Sequence, residues 1–503
     1  MTSQVQALRA ADGATLDLAS VAATLADQFT VVTRPSQLIR RVRLDTFDRR
    51  LHAAELTLEH QVAGSQERLV LDGPACSSTV TVPATEPRWP VLAAGLPDGP
   101  IRTALAPVIG IRALLVVSDE KRRVRRLELH NEDDKTVARV QLDEPATATA
   151  APPQLTVLAL RGYEDLAGRA LRLLTRAGLR QVDHREAHAA DVQPTAGIVA
   201  TSPAIALLAA QLGEFLAAMR DNLPGLLDDV DTEFLHDFRV AVRRTRSTLK
   251  LGRLALPEVM HRRWEPAFKW LGDLTTPVRD LDIYELDLPV MTTWLVAAEA
   301  TDLDELAQHL RRRRSSARRA MVQGLRSARF RRLMAGWHDT LTRLAEGSQD
   351  LTGEQLSAGV LAQRSIRRAY RRVARDGAAI SPESPAEHLH ELRKRCKELR
   401  YALEVFAPVI ENGPRKRAVA DLKSLQDVLG RFQDCEVQRL ALRDFAEEMM
   451  ADGTPASAVL AMGELIGHLD VEQDRARERF DGAFASFTRP SGRQRMQRLG
   501  GGR

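Results

Sequence analysis

The sequence predicts an α+β chain of two dissimilar parts, an antiparallel β-rich half followed by an all-helical half built from two related units. Three observations lead there. Residues 25 to 183 break into short alternating or β-branched runs divided by Gly, Pro and acidic turns. From about residue 204 the apolar period becomes helical. Within that helical part, LHDFRVAVRRTRSTLK at 235–250 and LHELRKRCKELRYALE at 389–404 are two versions of one basic helix.

Taken in order, residues 1–24 are mixed in polarity and read as an N-terminal extension. The runs LTLEHQ, ERLVLD, STVTVP, RALLVVSD, RRLELHNED, ARVQLDE and LTVLALRG then read as strands, and EDLAGRALRLLTRAGL closes this part as a helix. Residues 184–203 read as a linker. The helical domain covers 204–488, with repeat halves at about 204–345 and 356–488. Residues 489–503, rich in Gly, Arg and Pro, read as a disordered basic tail.

Composition narrows the class of protein. At 503 residues and 44% hydrophobic content the chain fills more than one core. It shows neither a signal-peptide pattern nor a run of about twenty apolar residues, so the expectation is a cytoplasmic protein without membrane insertion. Cys76, Cys396 and Cys435 lack paired or zinc-like spacing, and Cys396 falls on an apolar stripe, as a small core residue does. The net charge of +5 is modest. Its distribution matters more, with arginine runs at 311–314 and at Arg364, Arg367, Arg368, Arg371 and Arg372.

The basic helices carry the functional signal. His236, Arg239, Arg243, Arg246 and Lys250 follow steps of three, four, three and four, which at about 100° per residue holds them within an arc of roughly 80°. His390, Arg393, Lys397 and Arg400 repeat those steps, and Glu404 stands where the first copy has Lys250. An adjoining stripe, Leu235, Phe238, Val242 and Leu249 in one copy and Leu389, Leu392, Cys396, Leu399 and Leu403 in the other, supplies the face that packs. Aligned like charges repel. Their double occurrence therefore points to a polyanion that relieves the repulsion.

The repeat extends beyond these helices at a fixed offset of 154 residues. Lys269, Leu271, Asp273, Asp280 and Leu286 map onto Lys423, Leu425, Asp427, Asp434 and Leu440, and His261, Arg262 and Arg263 map onto Arg415, Lys416 and Arg417. So long a repeat predicts two units related by an internal pseudo-twofold, with both cation stripes facing one groove. Asp273, Asp280, Asp427 and Asp434 read as carboxylates that orient guanidinium groups. No metal, cofactor or catalytic residue is expected in this half.

HDFRVAVRRTRS, HELRKRCKELRYALE, LGDLTTPVRDLD and LQDVLGRFQD resemble the paired signatures of the CHAD family, the histidine-marked α-helical domain, over roughly residues 200–490. The resemblance implies two four-helix units around a basic cavity that binds inorganic polyphosphate. By position His236, Arg239, Arg243, Arg246, Lys250, His390, Arg393, Lys397 and Arg400 are the expected contacts, and Arg262, Arg263, Lys269, Lys416, Arg417 and Lys423 are secondary candidates. The chemistry agrees: Arg offers a fixed fork of donors to phosphate oxygens, Lys a mobile point charge. A polymer with condensed counterions gains from their release, so binding weakens with salt. His236 and His390 either charge as pH falls through about 6 to 7 or pack neutrally.

The β-rich half resembles a diverged CYTH domain, the triphosphate-tunnel fold, through its place before the helical domain and through LDTFDRRLHAAELTLE at 44–59. An active member opens with alternating glutamates that hold a divalent metal; here FTVVTRPSQ occupies the nearest strand. Glu59 and Gln61 stand where that family has arginines, Thr156 and Leu158 where it has glutamates, and Arg161 for its lysine. The expectation is a noncatalytic relic or accessory surface. The chain is thus read as a nonenzymatic polyphosphate binder linked to targeting or organising polyphosphate granules. The alternatives are a metal-dependent triphosphatase kept in the N-terminal domain, a nucleic-acid binder, and a polyester-granule protein. Aromatics at 4% leave little for base stacking.

Overall fold

The computed structural model describes residues 5–9, 16–74, 76–82, 89–146, 152–181, 197–346 and 356–501. The chain divides into two compact units, Met1–Gln193 and Pro194–Arg503. Most of the expected linker, 184–196, lies outside the described residues.

The N-terminal unit is an antiparallel sheet of nine strands, β1 Val5–Arg9, β2 Thr30–Thr46, β3 Thr57–Ala63, β4 Gln66–Gly73, β5 Cys76–Val82, β6 Leu114–His130, β7 Thr136–Pro145, β8 Gln154–Ala159 and β9 Arg180–Gln181. Their order across the sheet is β5-β4-β3-β2-β6-β7-β8-β1-β9. RALLVVSD and RRLELHNED, two runs in the sequence, form the single 17-residue strand β6. Its partner β2 runs through Pro35, which lacks an N–H for the ladder, and the register shifts there between Arg34 and Gln37.

Helices cover this sheet. The α-helices α1 Leu18–Ala26 and α4 Glu164–Arg176 bury Leu25, Ala170 and Leu174 against Leu127, Val140 and Leu155. The helices α2 Arg50–Ala53 and α3 Pro100–Ile109 close a second cluster with Leu44, Leu58 and Leu71. The reading of 1–24 as an extension is corrected here: β1 is inserted between β8 and β9, Leu8 is buried, and α1 is part of the core. VQALR lacks the β-branched alternation that marks a strand, and its partners supply the ladder.

The second unit is all-helical. Its first half holds α5 Ala204–Asp228, α6 Thr232–Leu251, α7 Glu258–Met291, α8 Asp304–Arg326 and α9 Ala328–Ala345. Its second holds α10 Ala358–Ala378, α11 Ala386–Val405, α12 Asn412–Ala451, α13 Ala456–Glu478, α14 Phe480–Thr488 and α15 Pro490–Leu499. Helices starting at 204, 232 and 258 recur at 358, 386 and 412, each displaced by 154 residues. Each half thus has its four expected helices and continues into further ones; α9 packs on α5 as α15 packs on α10.

Reciprocal contacts between equivalent residues mark the pseudo-twofold. Pro203 bridges Ser357, its own counterpart; Ala204 N donates to Leu356 O at 2.8 Å and Ala358 N to Ser202 O at 2.7 Å. A self-complementary interface makes each contact twice in this way. Helices α6 and α11 also pack on each other, as do α5 and α10. The far ends of α7 and α12 share a core in which Tyr284, Leu306 and Leu310 meet Leu442, Phe445 and Leu465.

The C-terminal tail is the second correction. Residues 490–499 form a helix with Met496 and Leu499 buried. Three of its arginines are held by Asp421 of α12 and by Glu411 just before that helix: Arg489 and Arg495 reach Asp421 at 3.0 and 2.8 Å, and Arg498 reaches Glu411 at 2.6 Å. Composition alone signals disorder here because only tertiary pairing neutralises the charge.

Candidate functional site

Asp231 starts α6 by accepting from the N–H groups of Glu233 and Phe234 at 2.9 and 3.2 Å. The apolar stripe expected from sequence is buried in both copies: Leu235, Phe238, Val242 and Leu249 in α6, and Leu389, Leu392, Cys396, Leu399 and Leu403 in α11. Burial pushes the Cys396 thiol up to about 12, so it stays a neutral core group. With those faces fixed, Arg243 of the α6 stripe and Arg393, Lys397 and Arg400 of the α11 stripe line a cleft of about 280 Å³, whereas His236, Arg239 and His390 lie outside its lining.

Arg243 and Arg244 of α6 line that cleft with Arg393, Lys397, Arg400, Tyr401 and Glu404 of α11 and Gln426 and Asp427 of α12. Arg243 lies over the Tyr401 ring, 5.9 Å from its centroid. Lys397 is half-buried with no carboxylate partner among the described residues. Its burial, together with the nearby Arg393 and Arg243 charges, lowers its ammonium to about 8.

Two equivalent arginines of the stripes are anchored, Arg393 in the cleft lining and Arg239 outside it. Arg239 donates from Nη1 to Gly272 O, Thr275 Oγ1 and Thr276 Oγ1 on α7 at 3.1, 2.9 and 3.0 Å. Arg393 donates from Nη1 to Gly430 O, Gln433 Oε1 and Asp434 Oδ1 on α12 at 3.2, 3.2 and 2.9 Å. Equivalent arginines are therefore braced by equivalent helices, each through one nitrogen. Burial lowers the Arg239 guanidinium and raises the Asp280 carboxyl beside it.

The marker histidines differ. His236 is lowered by burial and then by the Arg279 charge, which favours the neutral ring. His390 Nε2 stands 2.5 Å from Glu436 Oε2 and edge-on to Phe432.

The other expected contacts lie elsewhere. Arg246 is exposed outside the cleft wall, and Lys250 is paired with Glu398. Within the cleft, by contrast, Glu404, the sign-changed position, pairs with Arg400 at 2.8 Å and Arg244 at 3.5 Å. None of the secondary candidates lines the cleft. Arg262 faces Glu258 at 3.9 Å, Arg263 lies over Trp264, and Lys269 pairs with Asp273 at 2.7 Å. Lys416, Arg417 and Lys423 are outside the cleft as well. Of the acids read as guanidinium partners, Asp434 holds Arg393 directly, whereas Asp273 holds a lysine.

In the N-terminal unit, Arg41 and Arg122 converge on buried Asp143; Arg122 also reaches Glu120 at 3.0 Å, and Arg41 reaches Glu59 at 3.6 Å. Gln61 accepts from Arg68 at 3.0 Å. Asp45 of the LDT element is buried and accepts from the N–H groups of Thr46, Leu51 and His52 at 2.7, 2.9 and 3.1 Å, fixing the turn into α2.

The second unit is a duplicated helical domain with a cleft lined by cations of both copies. Residues 210–443 match the family model described as CHAD domain, and this stretch is a CHAD domain, of a family associated with polyphosphate binding. The β-rich N-terminal unit is consistent with the CYTH-like expectation. An uncharacterized protein of Mycobacterium tuberculosis is 26% identical over 258 residues, 50% of this chain and 47% of that one. The chain spans about half the length of the curated relatives it matches. Among solved structures, the CHAD domain from the plant Ricinus communis is 24% identical with a TM-score of 0.48, covering 59% of this chain and 96% of that one. PptA from Streptomyces chartreusis is 20% identical with a TM-score of 0.43, covering 56% and 99%. Among the described residues no helix is long and apolar enough to cross a membrane.

Proposed function

We propose that the helical unit binds inorganic polyphosphate in the cleft between α6 and α11 and performs no chemistry on it. One observation carries this reading: Arg243 and Lys397, from opposite halves, line the same cleft, and neither has a carboxylate partner among the described residues. Unneutralised cations in a partly desolvated cleft repel each other, and an extended phosphate chain offers each an oxygen while releasing counterions. Arg393, braced on one nitrogen, keeps further donors for the same strand.

In this reading the protein is cytoplasmic and docks on or organises polyphosphate granules. The N-terminal unit is accessory, because its central arginines are neutralised by the chain's own Asp143, Glu59 and Glu120.

The test is titration of the full chain with long-chain polyphosphate across a salt series, alongside the Arg243→Gln, Lys397→Gln variant. Loss of two charge-assisted contacts lowers affinity at least about ten-fold and reduces the slope of log K against log salt by about 1.4. Unchanged affinity and slope would refute the cleft as the site. Metal-dependent phosphate release from triphosphate would favour the enzymatic reading instead.

A further inference from the structure

Arg364, Arg367, Arg368, Arg371, Arg372 and Arg375 form a ridge along α10 and alone line a depression of about 530 Å³. At 1.5 Å per residue the ridge runs about 16 Å. Its cations differ in how they are held. Arg367 donates to Gly500 O at 2.8 Å, Arg372 stands 3.6 Å from Glu398, and Arg375 pairs with Asp376 at 2.7 Å. Arg368 and Arg371 are exposed and make no hydrogen bond or ion pair among the described residues.

The fold does not demand this ridge. At the equivalent positions 154 residues earlier, α5 carries Ala210, Gly213, Glu214, Ala217, Ala218 and Asp221, with no cation among them. The buried positions, by contrast, are kept as apolar pairs: Leu207 with Leu361, Leu212 with Ile366, and Met219 with Val373. The packing is duplicated and the arginine face is not. Stacking like charges at steps of three and four also costs helix stability, so the ridge needs a cause outside the repeat.

Its position supplies one. Glu398 of α11 pairs with Lys250, the last cation of the α6 stripe, and also faces Arg372 of the ridge. Glu398 thus holds the outer end of the α6 stripe against the α10 ridge, so that Lys250 and Arg372 share one carboxylate and their two charges exceed it by one.

We propose that the α10 ridge is an exit track: a polyphosphate strand longer than the cleft passes over Lys250 and Arg372 and continues along Arg368 and Arg371. This rests on the reading of the cleft as a polyphosphate site. It makes the protein selective for chain length, because a short oligophosphate occupies the cleft alone whereas a long polymer gains the ridge.

The test uses the full chain and an Arg368→Ala, Arg371→Ala variant, whose changes are exposed and replace arginine with the best helix former. Each protein is titrated with a short oligophosphate, a long-chain polyphosphate and a duplex DNA across a salt series. The expected result is unchanged binding of the short oligomer, roughly five-fold weaker binding of the long polymer, and a salt slope for the long polymer lower by about 1.4. Equal binding of the long polymer by both proteins overturns the track while leaving the cleft intact, and so does a loss confined to DNA. Failure of the unaltered chain to bind either phosphate polymer overturns the track and the cleft together.

Discussion

Replacing Lys397 with Met stabilises the free protein and weakens its hold on polyphosphate. The side chain is half-buried beside Arg393 and Arg243, and its ammonium titrates at about 8, against about 10.4 for an ordinary lysine. That difference bounds the cost of the charge at about 3 kcal/mol, and water screening of a partly exposed group brings it nearer about 1 kcal/mol. Met is one atom shorter but keeps an unbranched apolar stem while removing the charge. Calorimetry of the full chain at pH 7 then shows the helical unit's transition raised by about 2 to 3 °C.

The pH dependence has a definite sign. Below about 8 the lysine is protonated in both folded and unfolded chains, and the whole penalty applies. Between about 8 and 10.4 the unfolded chain binds more protons, so the unaltered protein gains stability as pH rises, and the advantage of the variant closes. A variant no more stable at pH 7, or one whose advantage survives unchanged above about pH 10.4, would refute the account of Lys397 as a strained, unneutralised cation.

Two further outcomes test other parts of the molecule. Arg314 bridges Asp282, which is 1% exposed, and Asp229 at 2.7 and 2.8 Å; Arg314→Met strands a buried carboxylate and lowers stability in urea by about 3 to 5 kcal/mol, most of it recovered when Asp282→Asn removes that charge. Glu404→Lys restores the sign that the first copy has at Lys250 and frees Arg400 and Arg244; polyphosphate binds the variant more tightly, with a salt slope steeper by at least about 0.7, as read by titration.

How much of this was legible in the sequence depends on which physical scale sets each feature. The cation ridge and the packing stripe of α6 and α11 follow from the helical period alone, and the start of each repeated helix follows from the 154-residue offset. Arg244 and Tyr401 fall off the three-four ridge and reach the cleft only because α6 packs on α11. The capture of Lys250 by Glu398 is likewise a contact between halves, invisible to a periodicity within one helix. Strand β1 and helix α15 are not legible for a related reason: one takes its hydrogen bonds from β8 and β9, and the other takes its neutralising acids from Asp421 of α12 and from Glu411 just before it.

The most direct measurement is proton uptake on polyphosphate binding at pH 8, read as the dependence of the calorimetric heat on buffer ionisation enthalpy. A phosphate strand in the cleft returns the Lys397 ammonium toward its ordinary range, so the account predicts uptake of about half a proton per site, abolished in Lys397→Met. Binding without uptake, or uptake that persists in the Met variant, would contradict the claim that the polymer lies in this cleft.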